Sequence, residues 1–356
     1  MTELANQTMR TVWIFLFGLW IGRAEAHIVA HPDVRCSPGE IRIWTAAMQL
    51  AADRIVGSKS GRTLERVLPP NPTLEAIAKF QWNETAVLPE TGWFVETGPA
   101  TEALAARATE KWRALAGPKA PAFKIAGTGV AAFAAIKRDF SFRQAFARAG
   151  ALKLPWGNAK EPVSFFGTRD ERSERYSEVR VLMYKPTDQA YALQFPAQEG
   201  DDTLVLYLPA QISTMQAAME EVRKWRSEWP RESGGPNMRD PRLHAKDDLR
   251  VPIIEVACEE DLMAQFTGAI DFKGESVPWR IVQAKSSMQL NVDEKGVKFA
   301  ATATLEAEPF GVAPEKVVPQ PRWFWFDRPF FLFLWRDGAE WPYAGVWFGK
   351  SDFFAK

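Results

Sequence analysis

The sequence predicts an α+β fold: one domain of mixed, largely antiparallel β-sheets surrounded by helices, with an exposed loop near the C-terminus. Three observations predict it. Short strand-like runs at 163–166, 180–184, 191–196 and 203–209 are separated by polar turns, as in a large antiparallel sheet region. Ala- and Leu-rich or charged helical patterns occupy 42–53, 101–115 and 214–226. Finally, the run 297–308 alternates strictly between two faces and then stops at Pro309-Phe310-Gly311-Val312-Ala313-Pro314. With 356 residues, 46% hydrophobic and 25% charged, the chain can bury a substantial core, and no internal repeat divides it.

The elements follow in order. Arg10, an apolar run over 11–22 and the small residues Ala24 and Ala26 fit a secretory signal, residues 1–26, removed to leave a domain over 27–356. That run is short of the about 20 residues a membrane helix needs, so the expectation is a secreted protein, or a periplasmic one in a bacterium. Cys36 and Cys258 read as two free thiols ahead of a disulfide. His27 and His31 stand four apart as a metal pair would on a helix, but Pro32 and the terminal position make a frayed segment the simpler reading. A Ser37-Pro38 corner is expected to start the helix at 42–53, a turn follows over 57–63, and Pro69, Pro70 and Pro72 break the chain. A buried strand is expected at 129–136 and a loop at 230–241. The fifteen Trp residues read as sheet packing rather than a ligand platform.

In the alternating run, Val297, Phe299, Ala301, Ala303, Leu305 and Ala307 fall on one side, while Lys298, Ala300, Thr302, Thr304, Glu306 and Glu308 fall on the other. A strand-competent segment leading into a Pro- and Gly-rich loop is what an insertable bait needs.

The C-terminal quarter resembles the serpins, a family of serine protease inhibitors. Phe324-Trp-Phe-Asp-Arg-Pro-Phe-Phe-Leu-Phe-Leu334 is similar to the family's C-terminal signature, Trp347-Phe-Gly-Lys350 to its closing strand, and Asp293-Glu-Lys-Gly296 to the hinge before its reactive loop. A strand at 251–257 and a helix at 261–266 are likewise implied by the resemblance, as the elements that precede the reactive region. The resemblance implies a reactive loop at about 294–321, with hinge and insertable residues Glu294, Lys295, Gly296, Val297, Lys298, Phe299, Ala300, Ala301, Thr302, Ala303, Thr304, Leu305 and Pro309. Counting seventeen positions from Glu294, as the family does, puts the scissile bond between Phe310 and Gly311, with Leu305 as a weaker candidate. An aromatic at that position implies a chymotrypsin-like serine protease as the partner, held as a covalent acyl complex. The bulky Lys298 and Phe299 depart from the family's small hinge residues. So do Ser286 where a His is typical, Glu40 where a Ser is, and Ala134 where an Asn is. These departures keep open an alternative: a non-inhibitory binding or structural protein on the same fold, whose loop is only a substrate.

Other function classes find little here. Lys+Arg and Asp+Glu balance at 44 each, so no global field points to nucleic acid or an anionic membrane. Neither Gly-x-Ser-x-Gly nor His-Glu-x-x-His occurs, and with three His residues in the chain no enzyme, cofactor or metal is expected. The expected state is a monomer.

Overall fold

The computed structural model describes residues 26–57, 59–80, 82–148, 155–157, 162–168, 176–229, 241–244, 246–298 and 321–356. The core is a seven-stranded sheet in the order β1 (Ala26–Ile28), β2 (Ile41–Thr45), β19 (Ala344–Phe348), β18 (Phe330–Arg336), β11 (Asp202–Leu208), β10 (Ala190–Pro196), β9 (Arg180–Lys185). All of its pairs are antiparallel except β1–β2. β11 and β19 are buried along their whole length, which is why their sequences are continuous apolar runs rather than alternating ones. Helix α5 (Met215–Glu228) covers one face. Gly345 lets it approach, because a Cβ there would stand 2.9 Å from Met219 Cε and 3.0 Å from Met215 Sδ. Trp44, Trp335 and Trp347 are fully buried, as the packing reading expects, whereas Trp323 is 57% exposed.

Two four-stranded sheets and two two-stranded ones complete the frame. One four-stranded sheet runs β17 (Trp323–Trp325), β12 (Asp248–Pro252), β8 (Phe165–Gly167), β7 (Ala147–Arg148). Another runs β13 (Ile254–Asp261), β15 (Lys285–Asp293), β16 (Gly296–Lys298), β6 (Phe140–Ser141). β14 (Ala269–Phe272) pairs with β3 (Leu64–Leu68), and β4 (Trp93–Pro99) pairs with β5 (Val130–Ile136). Helix α1 (Ala46–Ile55) lies against β5, while α2 (Pro72–Lys79), α3 (Glu84–Val87) and α4 (Glu102–Ala116) sit at the periphery. Their N-termini are closed by Asn71, Asn83 and Thr101, each accepting a backbone N–H of its first turn.

Several expectations are corrected. Residues 41–45 form a strand, not the start of a helix, because Ile41 and Ile43 pack into the ladder with β19; the helix begins at Ala46, and Ser37-Pro38 lies in the turn before β2. The strand at 129–136 exists but is only half-buried, Ala135 alone being fully covered, since one of its edges has no ladder. The run 251–257 is divided at Ile253 between two sheets, and 261–266 holds a single 3-10 turn, Met263–Gln265. His27 lies in a paired strand rather than a frayed end, with Glu260 3.6 Å from its Nδ1, while His31 is buried against the edge of Phe80. Cys36 and Cys258 are free thiols, which burial pushes up to about 12 and about 11. Residues 1–25, the loop at 230–240 and the segment 299–320 lie outside the described residues; no described helix is long and apolar enough to cross a membrane.

One buried carboxylate carries a testable cost. Asp53 on α1 accepts from Gln49 Nε2 at 2.8 Å and from the Trp82 indole, yet burial raises its pKa despite these donors and Arg54. A carboxyl whose folded pKa exceeds its unfolded one stabilises the fold below the unfolded pKa and loses that contribution as pH rises through the folded pKa. Ionised Asp53 therefore costs stability at neutral pH. Asp53→Asn keeps the shape and offers a donor to Gln49 Oε1, which lacks a partner among the described residues. Thermal melts are expected to show the variant more stable at pH 7, with the advantage shrinking as the pH falls through the folded pKa of Asp53 and gone below about pH 4; an advantage that grows in acid refutes this account.

Candidate functional site

The site is built where β15 turns back on itself. β15 buries Met288, Leu290 and Val292 and exposes Gln289 and Asn291, so one of its faces belongs to the core. Glu294-Lys295 then forms the two-residue loop of a hairpin, with Asp293 opposite Gly296 and Val292 opposite Val297. Asp293 Oδ1 accepts from Lys295 N at 2.8 Å, a local Asx turn that fixes the loop. The turn is also gripped from outside. Phe142 N donates to Lys295 O at 2.9 Å and Phe146 N to Glu294 O at 2.8 Å.

These bonds seat β16 between two strands. It pairs with β15 on one side and with β6 on the other, antiparallel to both, through Gly296 with Ser141 and Val297 with Phe140. Gly296 has φ +147°, and a Cβ on it would meet Phe140 O at 2.5 Å and Ser141 Cα at 2.7 Å, so this close approach requires glycine. Val297 is 1% exposed. The sequence-based face assignment thus holds at this residue, since Val297 points into the core.

Below β16 the two flanking strands part. Among the described residues, the edge of β5 away from β4 has no ladder, and neither does the edge of β15 over 285–290 away from β13. The chain runs from β5 into β6 through residues 137–139, so these two edges flank the path that β16 would continue. Ala134, on β5, and Ser286, on β15, stand on them; Glu40 does not, sitting instead in the turn before β2, where it pairs with Arg42 at 2.6 Å.

Two buried ion pairs hold the surroundings. The Arg138 guanidinium, just past β5, bonds Asp202 in the core, whose other oxygen accepts from Tyr343 Oη at 2.9 Å. On the far side of 299–320, Arg322 Nη2 meets Asp247 Oδ2 at 2.7 Å and Arg322 Nε meets Oδ1 at 3.1 Å, which fixes the chain as it enters β17. Asp247 lies 75 residues from Arg322, and neither was predicted; no local pattern marks such a pair.

The sequence-predicted residues Glu294, Lys295, Gly296 and Val297 are therefore brought together at the hinge, and Lys298 continues the strand. Phe299, Ala300, Ala301, Thr302, Ala303, Thr304, Leu305, Pro309, Phe310 and Gly311 lie outside the described residues.

Residues 174–343 match the family model of the serpins, serine protease inhibitors. The fold agrees over nearly the whole chain with a serpin from the trematode Schistosoma haematobium, at 10% identity and TM-score 0.51, covering 88% of this chain and 94% of that one. Over residues 174–343 the chain is serpin-like, and its fold is that of the serpins. The fold is also that of human thyroxine-binding globulin, determined with thyroxine, at 13% identity and TM-score 0.50, covering 91% and 93% of the two chains. No curated protein sequence matches this chain. Among the described residues no cluster of three His, Cys, Asp or Glu side chains could hold a metal ion.

Proposed function

We propose that this protein is a secreted or periplasmic inhibitor of a chymotrypsin-like serine endopeptidase, cleaved after Phe310 and trapping the enzyme by inserting 297–308 between β5 and β15. The observation that carries this reading is the hinge, already seated with Val297 inward between two strands whose edges below it lack a ladder. Continuing the register pairs Phe299 with Leu290, Ala301 with Met288 and Thr304 with Lys285. Phe299 would then arrive on the side where Leu290 is buried, and Lys298 is paired with exposed Asn291. The bulky hinge residues are thereby accommodated.

The driving force comes from what is not yet buried. Val297 contributes nothing further, so Phe299 and Leu305 supply the side-chain part, roughly 1.5 to 3 kcal/mol each. Each new ladder hydrogen bond adds about 0.5 to 1.5 kcal/mol. Twelve residues at about 3.3 Å would carry an attached protease on the order of 40 Å. The acyl link forms as the protease's nucleophile displaces the Gly311 amine from the Phe310 carbonyl; insertion removes the ester from the hydrolytic geometry before water attacks it.

Mixing the protein with chymotrypsin is expected to give a band of summed mass that survives SDS. A cut chain alone, with several proteases of hydrophobic specificity, would sink inhibition. It would favour the non-inhibitory alternative, a reading to which the shared fold of thyroxine-binding globulin also lends support.

A further inference from the structure

At the far end of the gap between β5 and β15, the two strands are tied together again. Trp279 and Val282, in the connection from β14 to β15, lie against Gly127 and Gly129, which lead into β5. A Cβ at Gly127 would stand 2.7 Å from Val282 Cγ2, and one at Gly129, whose φ is +104°, 3.3 Å from Trp279 Cζ3. Trp279 is itself anchored. It exchanges both backbone hydrogen bonds with Ile270 on β14, at 2.7 and 2.8 Å, its indole N–H donates to Glu275, and the Arg62 guanidinium lies 4.1 Å over its ring. Val282, by contrast, is 49% exposed, a large apolar side chain kept at the surface against Gly127.

We propose that Trp279 and Val282 are positioning residues that form a stop, closing the far end of the gap and setting where an entering strand halts. The inference rests on the insertion reading and deepens it. Carried forward from Val297 opposite Val292 and Phe140, the register brings Ala307 level with Val130 on one side and Val282 on the other. The ladder would therefore reach the glycine contact at Ala307 and Glu308. The next residue is Pro309, which has no N–H to extend it. The length of the alternating run matches the distance from hinge to stop, and the stop has to loosen for the last residues to enter.

The Cβ built at Gly127 lies 3.6 Å from Val282 Cβ, within the about 3.5 to 4.5 Å that a disulfide spans. Gly127→Cys with Val282→Cys is expected to form a bridge in the intact protein under mild oxidation, checked by peptide mapping. After cleavage by chymotrypsin, the oxidised variant should show a smaller rise in melting temperature than the reduced one, because the last residues of the strand are held out, and dithiothreitol should release the remainder. Val282→Ala, which only trims the contact, should shorten the time to that rise several-fold. Failure of the bridge to form, or an equal rise in the oxidised and reduced cleaved variant, overturns the stop while leaving insertion standing. No rise in the cleaved wild-type protein overturns insertion and the stop together, and the bridge read on the intact chain tells the two failures apart.

Discussion

Gly296→Ala is expected to lower the melting temperature by about 5 °C or more and to convert the protein from an inhibitor into a substrate. The added methyl collides with Phe140 O, Ser141 Cα and Phe142 N, all backbone atoms that cannot rotate away. It also forces a side chain onto a backbone at φ +147°. Strain of the second kind costs about 1 to 3 kcal/mol, overpacking of the first about as much, and in a domain of this size each kcal/mol shifts the midpoint by about 2 °C or more. β16 can escape only by leaving β6, which breaks the pairing of Val297 with Phe140 and frees the hinge at its root. Insertion then starts later than hydrolysis of the acyl link. Lys295→Ala, at an exposed position of the same turn, is the control. A midpoint for Gly296→Ala within 1 °C of wild type would show that β16 and β6 do not make this approach.

The parts of the fold legible in sequence were those whose physics is local. The turn at 293–296 could be found because Asp293-Glu-Lys-Gly296 carries its own turn chemistry, and the inward face of Val297 because period-2 alternation fixes side from spacing alone. The strands β9, β10 and β11 were found within a residue or so, since each is a compact apolar run between polar turns. The errors came where tertiary context overrides pattern. Residues 41–45 look helical beside an Ala-rich stretch, yet the ladder with β19 claims them. β5 looks buried because it is nearly all apolar, yet it is half-covered, its edge away from β4 having no ladder among the described residues. Asp202, Asp247, Arg138 and Arg322 gave no signal, because a buried ion pair is made by two segments that only the fold brings together.

On the proposed insertion, the facing edges of β5 and β15, which have no ladder among the described residues, mark a structure held short of its most paired state. Edge strands with open ladders are normally covered or charged; here β5 offers mostly Ala, whose small side chains let a further strand lie close. An arrangement of this kind keeps its potential only if the surrounding frame resists relaxation, and the frame is fixed at two buried ion pairs. One of them bounds the segment 299–320 from its C-terminal side.

Asp247→Ala is accordingly expected to cost about 3 to 5 kcal/mol, the loss typical when one member of a buried pair is removed. Its carboxylate accepts from Arg322 N, Nε and Nη2 and from His244 N, all between 2.7 and 3.1 Å. Without it the guanidinium stays in an apolar setting, 5.3 Å over Phe324 and 5.8 Å over Tyr184, with the Arg242 carbonyl as an acceptor at 2.6 Å. Desolvation of a guanidinium that has lost its carboxylate, rather than the loss of attraction, makes up most of the cost. Asp247→Ala with Arg322→Met removes both charges and should recover much of the stability in urea unfolding, because an apolar side chain suits the same walls. Were the single variant to lose less than about 1 kcal/mol, or the double variant to be weaker than the single, the pair would not be the buried anchor that fixes the chain as it enters β17.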